Sequence, residues 1–310
     1  MVYPSPAGAL QGPMPRIGCL FTRANYQESF DTLRRGLHDL GYVEGKNILL
    51  DVRSSGGDNS RFPGLATELV SLKPAVLVSN GPFAIRALKD AAGTIPIVMS
   101  VIDDPVGLGF AQSLARPGGN ITGITNVAAV LAGKRLELLK EVLPKLTRVG
   151  VVWDPKAPGS IPQWEASQEP ADKLGLQLHS MQVSTVEDYH AAFRGAVKAR
   201  NHAVWVTLNP VANSNQKLIA ELAIENGLPS ICARSDYADN GCLMAYGPGY
   251  QTEGSDGARY VDRILKGARP ADLPIEQPTK FELVINLKTA SRMGVTVPQS
   301  VLDRADRLVR

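Results

Sequence analysis

The chain has 310 residues, of which 44% are hydrophobic and 20% are charged, so it is long enough for two lobes of ordinary size or for one large α/β unit with a buried core. Its 33 Lys and Arg residues against 30 Asp and Glu residues leave a formal charge of +3, and no block of like charges forms a basic arm, which argues against nucleic acid as a partner. No apolar run approaches the ~20 residues that a bilayer span requires, so any membrane contact is expected to go through a partner.

The chain begins with MVYPSPAGALQGPMP, which has neither a basic segment nor an apolar segment. It is therefore not an intact secretory signal, although it is compatible with the remnant left after a signal was removed. No cysteine lies near this end, which argues against a lipid anchor if this is the mature chain.

Strand-like apolar runs alternate with helical patterns through the first half of the chain. The predicted strands cover residues 16–21, 47–53, 75–79 and 97–102. Two helical faces lie between them with the spacing of one buried stripe: Phe30, Leu33, Leu37 and Leu40 before Gly41, and then Phe62, Leu65, Leu69 and Leu72. Such alternation is typical of βαβ units built around a parallel sheet.

The second half starts in the same way. The stretch TRVGVVW at residues 147–153 is similar to PRIGCLF at residues 15–21, and each is followed by a loop and then a helical pattern. Strands are predicted near 148–153, 176–183, 203–208 and 229–233, with helices at 163–174, 186–199 and 214–226. The chain therefore begins the same kind of domain twice.

The segment LARPGGNITGITN, residues 114–126, contains a turn and a short extended stretch, and we interpret it as a crossover between lobes. After LMAYG, a helix near 252–266 leads to KFELVINL and a short helix near 288–293. The predicted lobes are residues 14–125 with 247–280, and residues 126–246 with 281–310. We expect an α/β fold of two similar lobes, each a parallel sheet flanked by helices, joined by a multi-strand hinge that permits closure about a cleft.

The three cysteines cannot all pair, and their spacing is not that of a metal site. Cys19 lies inside a predicted strand and is expected to be a small buried apolar residue. Cys232 and Cys242 flank one loop and are either free thiols or a disulfide formed in an oxidising compartment. No metal and no cofactor is expected.

Several long segments of the chain are similar to those of one protein family. They are DLGYVEGKNI at 39–48, DDPVGLGFAQSLARPGGNITGITN, AGKRLELLKEVLP, LMAYGP at 243–248 and PTKFELVINLKTASRMG. This sequence resembles the ABC-transporter substrate-binding proteins, whose characterised members include tryptophan- and phenylalanine-binding lipoproteins. The resemblance implies a type 1 periplasmic binding protein of two Rossmann-like lobes, with a ligand in the interlobe cleft and delivery of that ligand to a membrane permease.

Ligands of parallel α/β sheets bind beyond the carboxyl ends of the strands, where the N-termini of helices also present free N–H groups. The first-lobe residues at such positions are Thr22, Asn25, Tyr26, Asn80, Gly81, Pro82, Phe83, Asp103 and Asp104. The turn at 80–83 suits a ligand carboxylate, or is an ordinary strand-to-helix turn. Asp103 and Asp104 suit an ammonium group, or form a routine turn before Pro105.

The corresponding positions of the second lobe are Trp153, Asp154, Asn209, Arg234, Ser235 and Asp236. Asn126 and Tyr246 are expected near the hinge, where they either contact the ligand or support a turn. Trp153 is expected to stack on a ligand ring, with packing at the lobe edge as the alternative. Two departures from the resembled family bear on the ligand. Thr or Ser is common where this chain has Asn80 and Phe83, and Arg is common where it has Ser235, with Arg234 one place earlier.

An enzyme is disfavoured because the sequence lacks a G-x-G-x-x-G after its first strand, a G-x-x-x-x-G-K-[ST] loop and a G-x-S-x-G elbow. The four histidines are dispersed: His38, His179, His190 and His202. A sugar-repressor-type regulator would need a DNA-binding module before residue 16, where too few residues are present. A ligand-sensing domain of a signalling system remains an alternative.

The function expected from the sequence is that of a periplasmic or extracytoplasmic solute-binding protein. It would bind a small carboxylate-bearing solute, namely an aromatic or apolar amino acid or an aromatic acid. Its partners would be that solute and an ABC transporter permease, and it would act as a monomer.

Overall fold

The computed structural model describes residues 14–22, 26–102, 104–248 and 250–310. These residues divide into two compact units. The first runs up to Ser100 and adds Val106–Gly123 and Gly254–Ile275, and the second comprises Val101–Pro105, Ile124–Glu253 and Glu276–Arg310.

The first unit is built on βαβ units, as the alternating pattern predicts. Its elements are β1 (Arg16–Phe21), α1 (Gln27–Asp39), β2 (Leu49–Ser54), α2 (Phe62–Ser71), β3 (Val76–Asn80), α3 (Pro82–Ala92), β4 (Ile97–Ile102) and β5 (Ile121–Thr125). Strand order in its sheet is β2-β1-β3-β4-β5, and β1 pairs with both β2 and β3 in parallel. The carboxyl ends of β1 and β3, which are far apart in the sequence, therefore lie side by side.

Two of the expectations for this unit need correction. Leu40 is 43% exposed, because α1 ends at Asp39 and the chain turns away at Gly41, whereas Leu33 and Leu37 are buried. The segment ITGIT is strand β5 at the edge of the first sheet, so residues 114–120 connect neighbouring strands, and the chain enters the second unit only at Ile124.

The second unit repeats the plan and extends it. Its elements are α4 (Ala132–Val142), β6 (Arg148–Trp153), α5 (Ile161–Lys173), β7 (Gln177–Gln182), α6 (Asp188–Lys198), β8 (Ala203–Val206), α7 (Pro210–Ser214), α8 (Gln216–Glu225), β9 (Ser230–Cys232), α9 (Asp236–Asp239) and β10 (Met244–Pro248). Most of the next helix, α10 (Tyr250–Leu265), belongs to the first unit. The chain then returns to the second unit for β11 (Phe281–Asn286), α11 (Leu287–Arg292), α12 (Gln299–Leu302) and β12 (Arg307–Val309). The helix expected at 214–226 is two helices that meet at Asn215.

The two sheets share one strand order. Read from β7, the second sheet runs β7-β6-β8-β9-β10-β11-β12, so its first five strands follow the doubly wound order of the first sheet. β10 and β11 pair in antiparallel fashion, and the other pairings described for this sheet are parallel. The stretch 148–153 is thus the first strand of a second Rossmann-like unit, as the sequence predicts.

Apolar side chains cover both faces of the second sheet. Val152, Val204 and Val206 pack with helices α6 and α8 on one face, and Val149, Val151 and Trp205 pack with α4 on the other. Near-continuous apolar strands of this kind are what a parallel sheet covered on both faces requires. Among the helices that the structure describes, none combines the length and the apolar character of a membrane span.

Candidate functional site

The carboxyl edge of the first sheet is shaped by a close contact between the ends of β1 and β3. Gly81 follows β3 with φ 81° and ψ 146°, a backbone conformation that favours glycine. A Cβ atom at this position would lie 3.2 Å from the Cγ2 atom of Thr22. Pro82 then begins α3, where the missing N–H of proline costs no helical hydrogen bond. Thr22, Gly81 and Pro82, all predicted as site residues, are therefore neighbours at the point where the strand order reverses.

Asn80 is the last residue of β3 and is paired in register with Ser100 of β4. Its Oδ1 atom is buried and has no hydrogen-bond partner among the described residues. A buried polar atom without a partner costs free energy, on the order of 1–3 kcal/mol, so such atoms are rare unless something else satisfies them. Phe83, in the first turn of α3, keeps 37% of its surface exposed. The edge thus carries an unused acceptor beside an exposed aromatic ring.

The remaining predicted residues near this edge have local roles. The ring of Tyr26 stacks on Phe21, with centroids 5.6 Å apart and planes 6° apart. The carbonyl oxygen of Thr22 accepts hydrogen bonds from Gly57 N at 2.8 Å and Ser55 Oγ at 3.0 Å. Asp104 is exposed and belongs to the second unit. Asn25 and Asp103 lie outside the described residues.

The end of β5 carries a second buried polar atom without a partner. Thr125 is 2% exposed, and its Oγ1 atom has no hydrogen-bond partner in the described part of the chain. Its backbone N–H donates to the carbonyl of Glu276 at 2.9 Å, so the strand end itself is held in place. The next residue, Asn126, uses its Oδ1 atom to accept from Ala128 N at 3.0 Å. The sequence predicted Asn126 as a contact, but Thr125 is the residue with spare hydrogen-bonding capacity.

In the second unit, Trp153 at the end of β6 is engaged by its own lobe. Its indole ring stacks on Trp164 of α5, with centroids 5.4 Å apart and planes 4° apart. Its Nε1 atom donates to Ser180 Oγ at 2.8 Å, and only 9% of the residue is exposed. These contacts correspond to the packing role that the sequence offered as the alternative to stacking on a ligand.

Asp154 and Asn209 are joined by a buried chain of hydroxyl groups. Ser160 Oγ lies 3.0 Å from Asp154 N and 2.8 Å from Thr207 Oγ1. Asn209 Nδ2 lies 3.4 Å from the same Thr207 hydroxyl, and its Oδ1 atom caps α7 by accepting from Ala212 N at 2.8 Å. The Asp154 carboxylate accepts from Ser184 Oγ at 2.7 Å. Both predicted site residues are therefore parts of one network that fixes the ends of β6 and β8.

Arg234, Ser235 and Asp236 follow β9 and form a compact turn. The Arg234 guanidinium, with 3% of its side chain exposed, pairs with both carboxylate oxygens of Asp236 at 2.7 Å. Gln216 Nε2 donates to the same carboxylate at 2.7 Å. Ser235 is 5% exposed and immediately precedes α9. The Arg234 guanidinium is thus already paired with a neighbouring carboxylate.

Arg135 organises this edge of the second unit, and sequence reasoning missed it. It is 0% exposed, and its guanidinium donates to the backbone carbonyls of Tyr246 at 2.8 Å, Ala128 at 2.6 Å and Ala233 at 3.2 Å. The predicted site residue Tyr246 is held through its carbonyl, while its ring lies beside Phe281. Arg135 falls on the apolar stripe of α4 with Ala132 and Leu139, and a charged residue on such a stripe was the available signal.

No group of three or more His, Cys, Asp or Glu side chains in the described ranges is arranged to hold a metal ion. The edges of both sheets instead offer hydrogen-bonding groups, backbone turns and helix N-termini. Such groups bind and orient a solute, and they resemble the few placed polar contacts of small-molecule sites.

Comparison with known proteins places these features in context. A family model described as ABC transporter substrate binding protein matches residues 23–309. A tyrosine-binding protein of Clostridioides difficile (strain R20291) is 26% identical over 271 residues, covering 86% of this chain and 78% of that protein.

Two solved structures superpose over 95% of this chain and 99% of theirs. A conserved domain protein from Vibrio cholerae has a TM-score of 0.89 at 27% identity. An ABC domain in complex with L-Trp from Streptococcus pneumonia has a TM-score of 0.87 at 24% identity. The structural relatives are type 1 periplasmic binding proteins, which confirms the predicted fold class.

Proposed function

The chain belongs to the ABC transporter substrate-binding protein family, and on that basis we propose that it is an extracytoplasmic solute-binding protein serving a membrane permease. The solute is an aromatic or apolar amino acid, or an aromatic acid, and in each case it carries a carboxylate. The role of the protein is binding and delivery, in keeping with a family of substrate-binding proteins, and we assign it no catalytic step.

The observation that carries the proposal is the unpartnered Oδ1 atom of Asn80 at the end of β3. A buried acceptor recovers its lost hydrogen bond when a ligand donates to it, and a charged donor gives about 1.5–3 kcal/mol. The α-ammonium group of an amino acid is a donor of this kind. Asn80 is thus suited to select solutes that carry an ammonium group.

The start of α3 suits the other charged group of such a solute, its carboxylate. The backbone N–H groups of its first turn have no partner within the helix, and Gly81 and Pro82 let a ligand approach them. A carboxylate bound there gains ~0.3–1 kcal/mol from the helix dipole, and up to ~2 kcal/mol when partly buried. Asn80 and the start of α3 therefore match the two charged ends of a zwitterionic amino acid.

Thr125, at the end of the last strand of the first sheet, provides a further candidate contact, since its buried hydroxyl also has capacity to spare. In this proposal the solute binds at the carboxyl-edge positions described above. A solute that makes additional contacts in a closed state shifts the population toward that state, and the permease recognises it.

The chemical class of the solute is argued from the relatives. One relative is named a tyrosine-binding protein, and one structural relative is a complex with L-Trp. Phe83 keeps an exposed ring at the start of α3, where it can cover an apolar side chain. Because Asn80 and Phe83 stand where the family often has Thr or Ser, the preference among such solutes is expected to be this chain's own.

A thermal-shift screen of the purified chain tests the proposal. The panel contains the aromatic and branched amino acids, aryl carboxylates, sugars and nucleotides. A solute at about 100 times its Kd adds about 2.7 kcal/mol to the folded state, which is readily seen as a raised Tm. Stabilisation by an amino acid or aryl carboxylate supports the proposal, and stabilisation only by a nucleotide or a sugar contradicts it.

A matched series separates the two charged groups of the solute. For an indole-type ligand the series has three compounds. L-tryptophan carries both charged groups, indole-3-propionate carries only the carboxylate, and tryptamine carries only the ammonium group. If Asn80 Oδ1 accepts a hydrogen bond from the ammonium group, Asn80→Ala lowers the affinity for the amino acid by roughly 10-fold or more. The same substitution changes the affinity for indole-3-propionate little. Asn226→Ala is the control, because Asn226 is half-buried and bonds Leu222 O at 2.8 Å far along the sequence from this edge.

The partner, location and assembly state are parts of the same proposal. We expect the chain to be exported, to act as a monomer and to stimulate a permease of the ABC type when loaded with solute. Light scattering with and without solute measures the assembly state. A stable dimer that dissociates on binding would contradict the monomer, while leaving the solute assignment intact.

A further inference from the structure

Cys232 and Cys242 meet in the core of the second unit. Cys232 is the last residue of β9 and pairs in register with Ala245 of β10, and Cys242 lies just before β10. Their Sγ atoms are 2.9 Å apart, and both residues are 0% exposed. The Cys242 N–H donates to the carbonyl of Tyr237 at 3.0 Å, which holds the backbone at this end of the loop.

This placement meets the geometric requirement for a disulfide. A disulfide needs two side chains directed at each other with the sulfurs able to reach about 2.05 Å, and residues held apart by the fold cannot be bridged. Here the fold has already brought the two sulfur atoms into direct contact within an apolar cluster that includes Tyr237, Ala238 and Ala245. Only a small local movement separates the two thiols from a bond.

We propose that Cys232 and Cys242 form a structural disulfide when the chain folds in an oxidising compartment, and that this bond braces the loop carrying Arg234 and Asp236. The compartment is taken from the proposed extracytoplasmic function, because disulfides persist there and not in the cytosol. The bond would close a loop of 10 residues between strands β9 and β10.

The oxidant required is a protein or small-molecule disulfide. The thiolate of one cysteine attacks it and forms a mixed disulfide, releasing one sulfur as a thiol, and the second cysteine thiolate then displaces the other sulfur. The two cysteines lose two protons and two electrons, and the oxidant is reduced to two thiols. The chain gains one S–S bond, loses the two thiol hydrogens and acquires no atom from the oxidant.

Timing follows from burial. Burial, with the hydrogen bond to Cys242, raises the pKa of the Cys232 thiol well above its usual range, so the folded, reduced protein holds a protonated thiol out of reach of oxidants. Exchange therefore takes place while the chain folds. Cys19 is a built-in reference, because it is buried alone in β1 of the first unit and burial raises its pKa to about 12.

The disulfide would lie at the base of a segment that contains predicted site residues. The bridged segment contains the Arg234–Asp236 ion pair and α9, and Arg135 holds the carbonyl of Ala233 within it. A covalent link at its base fixes the end of β9 relative to β10. We therefore expect the bond to stabilise the second unit and to keep this part of the carboxyl edge in one conformation.

The test counts thiols in the full chain produced by two routes, export to the periplasm and expression in a reducing cytoplasm. Each sample is alkylated under denaturing conditions, once without and once after reduction. The intact mass then gives the number of alkylated thiols. The chain has three cysteines. Exported protein is expected to show a single alkylated thiol before reduction, and cytoplasmic protein is expected to show three. Three alkylated thiols in the exported protein would overturn the proposal.

Variants identify the pair and separate this proposal from the function. Exported Cys19→Ser is expected to show no free thiol, whereas exported Cys232→Ser is expected to show two. Loss of the bond lowers the Tm of the exported protein by roughly 5 °C or more. Solute binding by the reduced protein would leave the proposed function standing even if the exported chain had no disulfide.

Discussion

Thr22 and Gly81 approach so closely at the carboxyl edge of the first sheet that a Cβ on Gly81 would lie 3.2 Å from Thr22 Cγ2. The contact joins the ends of β1 and β3, the two strands between which the order of a doubly wound sheet reverses. Because Gly81 also has φ 81°, both steric space and backbone conformation select glycine here.

Gly81→Ala is expected to destabilise the chain by about 1–3 kcal/mol, because an L side chain rarely adopts this backbone conformation and its methyl group would press on Thr22. The same change is expected to weaken solute binding, since it alters the turn before α3. Chemical denaturation measures the first effect and calorimetric titration the second.

Gly64→Ala is the matched control for this change. Gly64 lies inside α2, is exposed, and has no atom within 4 Å of its hypothetical Cβ. Alanine favours a helix interior over glycine by up to about 1 kcal/mol, so this variant is expected to be more stable than the parent chain. Equal effects of the two substitutions would contradict the role assigned to the Gly81 turn.

Arg135 gives the second prediction. Arg135→Gln replaces the guanidinium that donates to the carbonyls of Ala128, Ala233 and Tyr246 in the interior of the second unit with a shorter group that has fewer donors. Each buried carbonyl left without a donor costs about 1–3 kcal/mol, so a loss of about 3 kcal/mol or more is expected in urea denaturation. Arg34→Gln, at a guanidinium whose side chain is 54% exposed beside Asp31, is expected to change stability by no more than about 0.5 kcal/mol.

Much of the fold could be predicted from the sequence because its signals are local. The first strand of each unit, 16–21 and 148–153, was predicted with the bounds that the structure has. Each is an apolar run of six residues closed by a loop, and this short length favours a buried strand over a buried helix. The doubled βαβ pattern then implies two sheets of the same kind.

The parts that could not be predicted depend on contacts between distant residues. Nothing local in ITGIT shows that it pairs beside β4, and nothing local near Phe281–Asn286 shows that this strand runs antiparallel to β10. The site has the same limit. Asn80 was predicted from its position after a strand, but its unpartnered oxygen and the spare hydroxyl of Thr125 are properties of the packed structure.

Trp153 gives a prediction that separates packing from ligand binding. Trp153→Phe removes the hydrogen bond to Ser180 and part of the stack on Trp164, and is expected to lower stability by about 1–2 kcal/mol. If packing is its role, affinity for an aromatic solute stays within about threefold of the parent value, or about 0.6 kcal/mol. A much larger loss of affinity, with little change in stability, would support stacking on the solute instead.

The last prediction concerns Tyr42, whose hydroxyl donates to Asp262 Oδ1 at 2.9 Å and so joins the loop after α1 to α10. Tyr42→Phe is expected to cost about 1 kcal/mol near neutral pH, because Asp262 keeps Lys266 as a second partner. Urea denaturation of both proteins measures the difference. In an Asp262→Asn background the same substitution is expected to have a smaller effect.

The pH dependence of that difference has a definite sign. Burial, followed by the hydrogen bond to Asp262 and its charge, raises the pKa of Tyr42 to about 12 in the folded chain, against about 10 when unfolded. Between these values the unfolded chain has lost a proton that the folded chain keeps, so stability falls as pH rises. The contribution of Tyr42 is complete below pH ~10 and is lost as the pH rises toward 12. The parent chain should therefore lose stability more steeply than Tyr42→Phe above pH ~10, and parallel curves would contradict the assigned hydrogen bond.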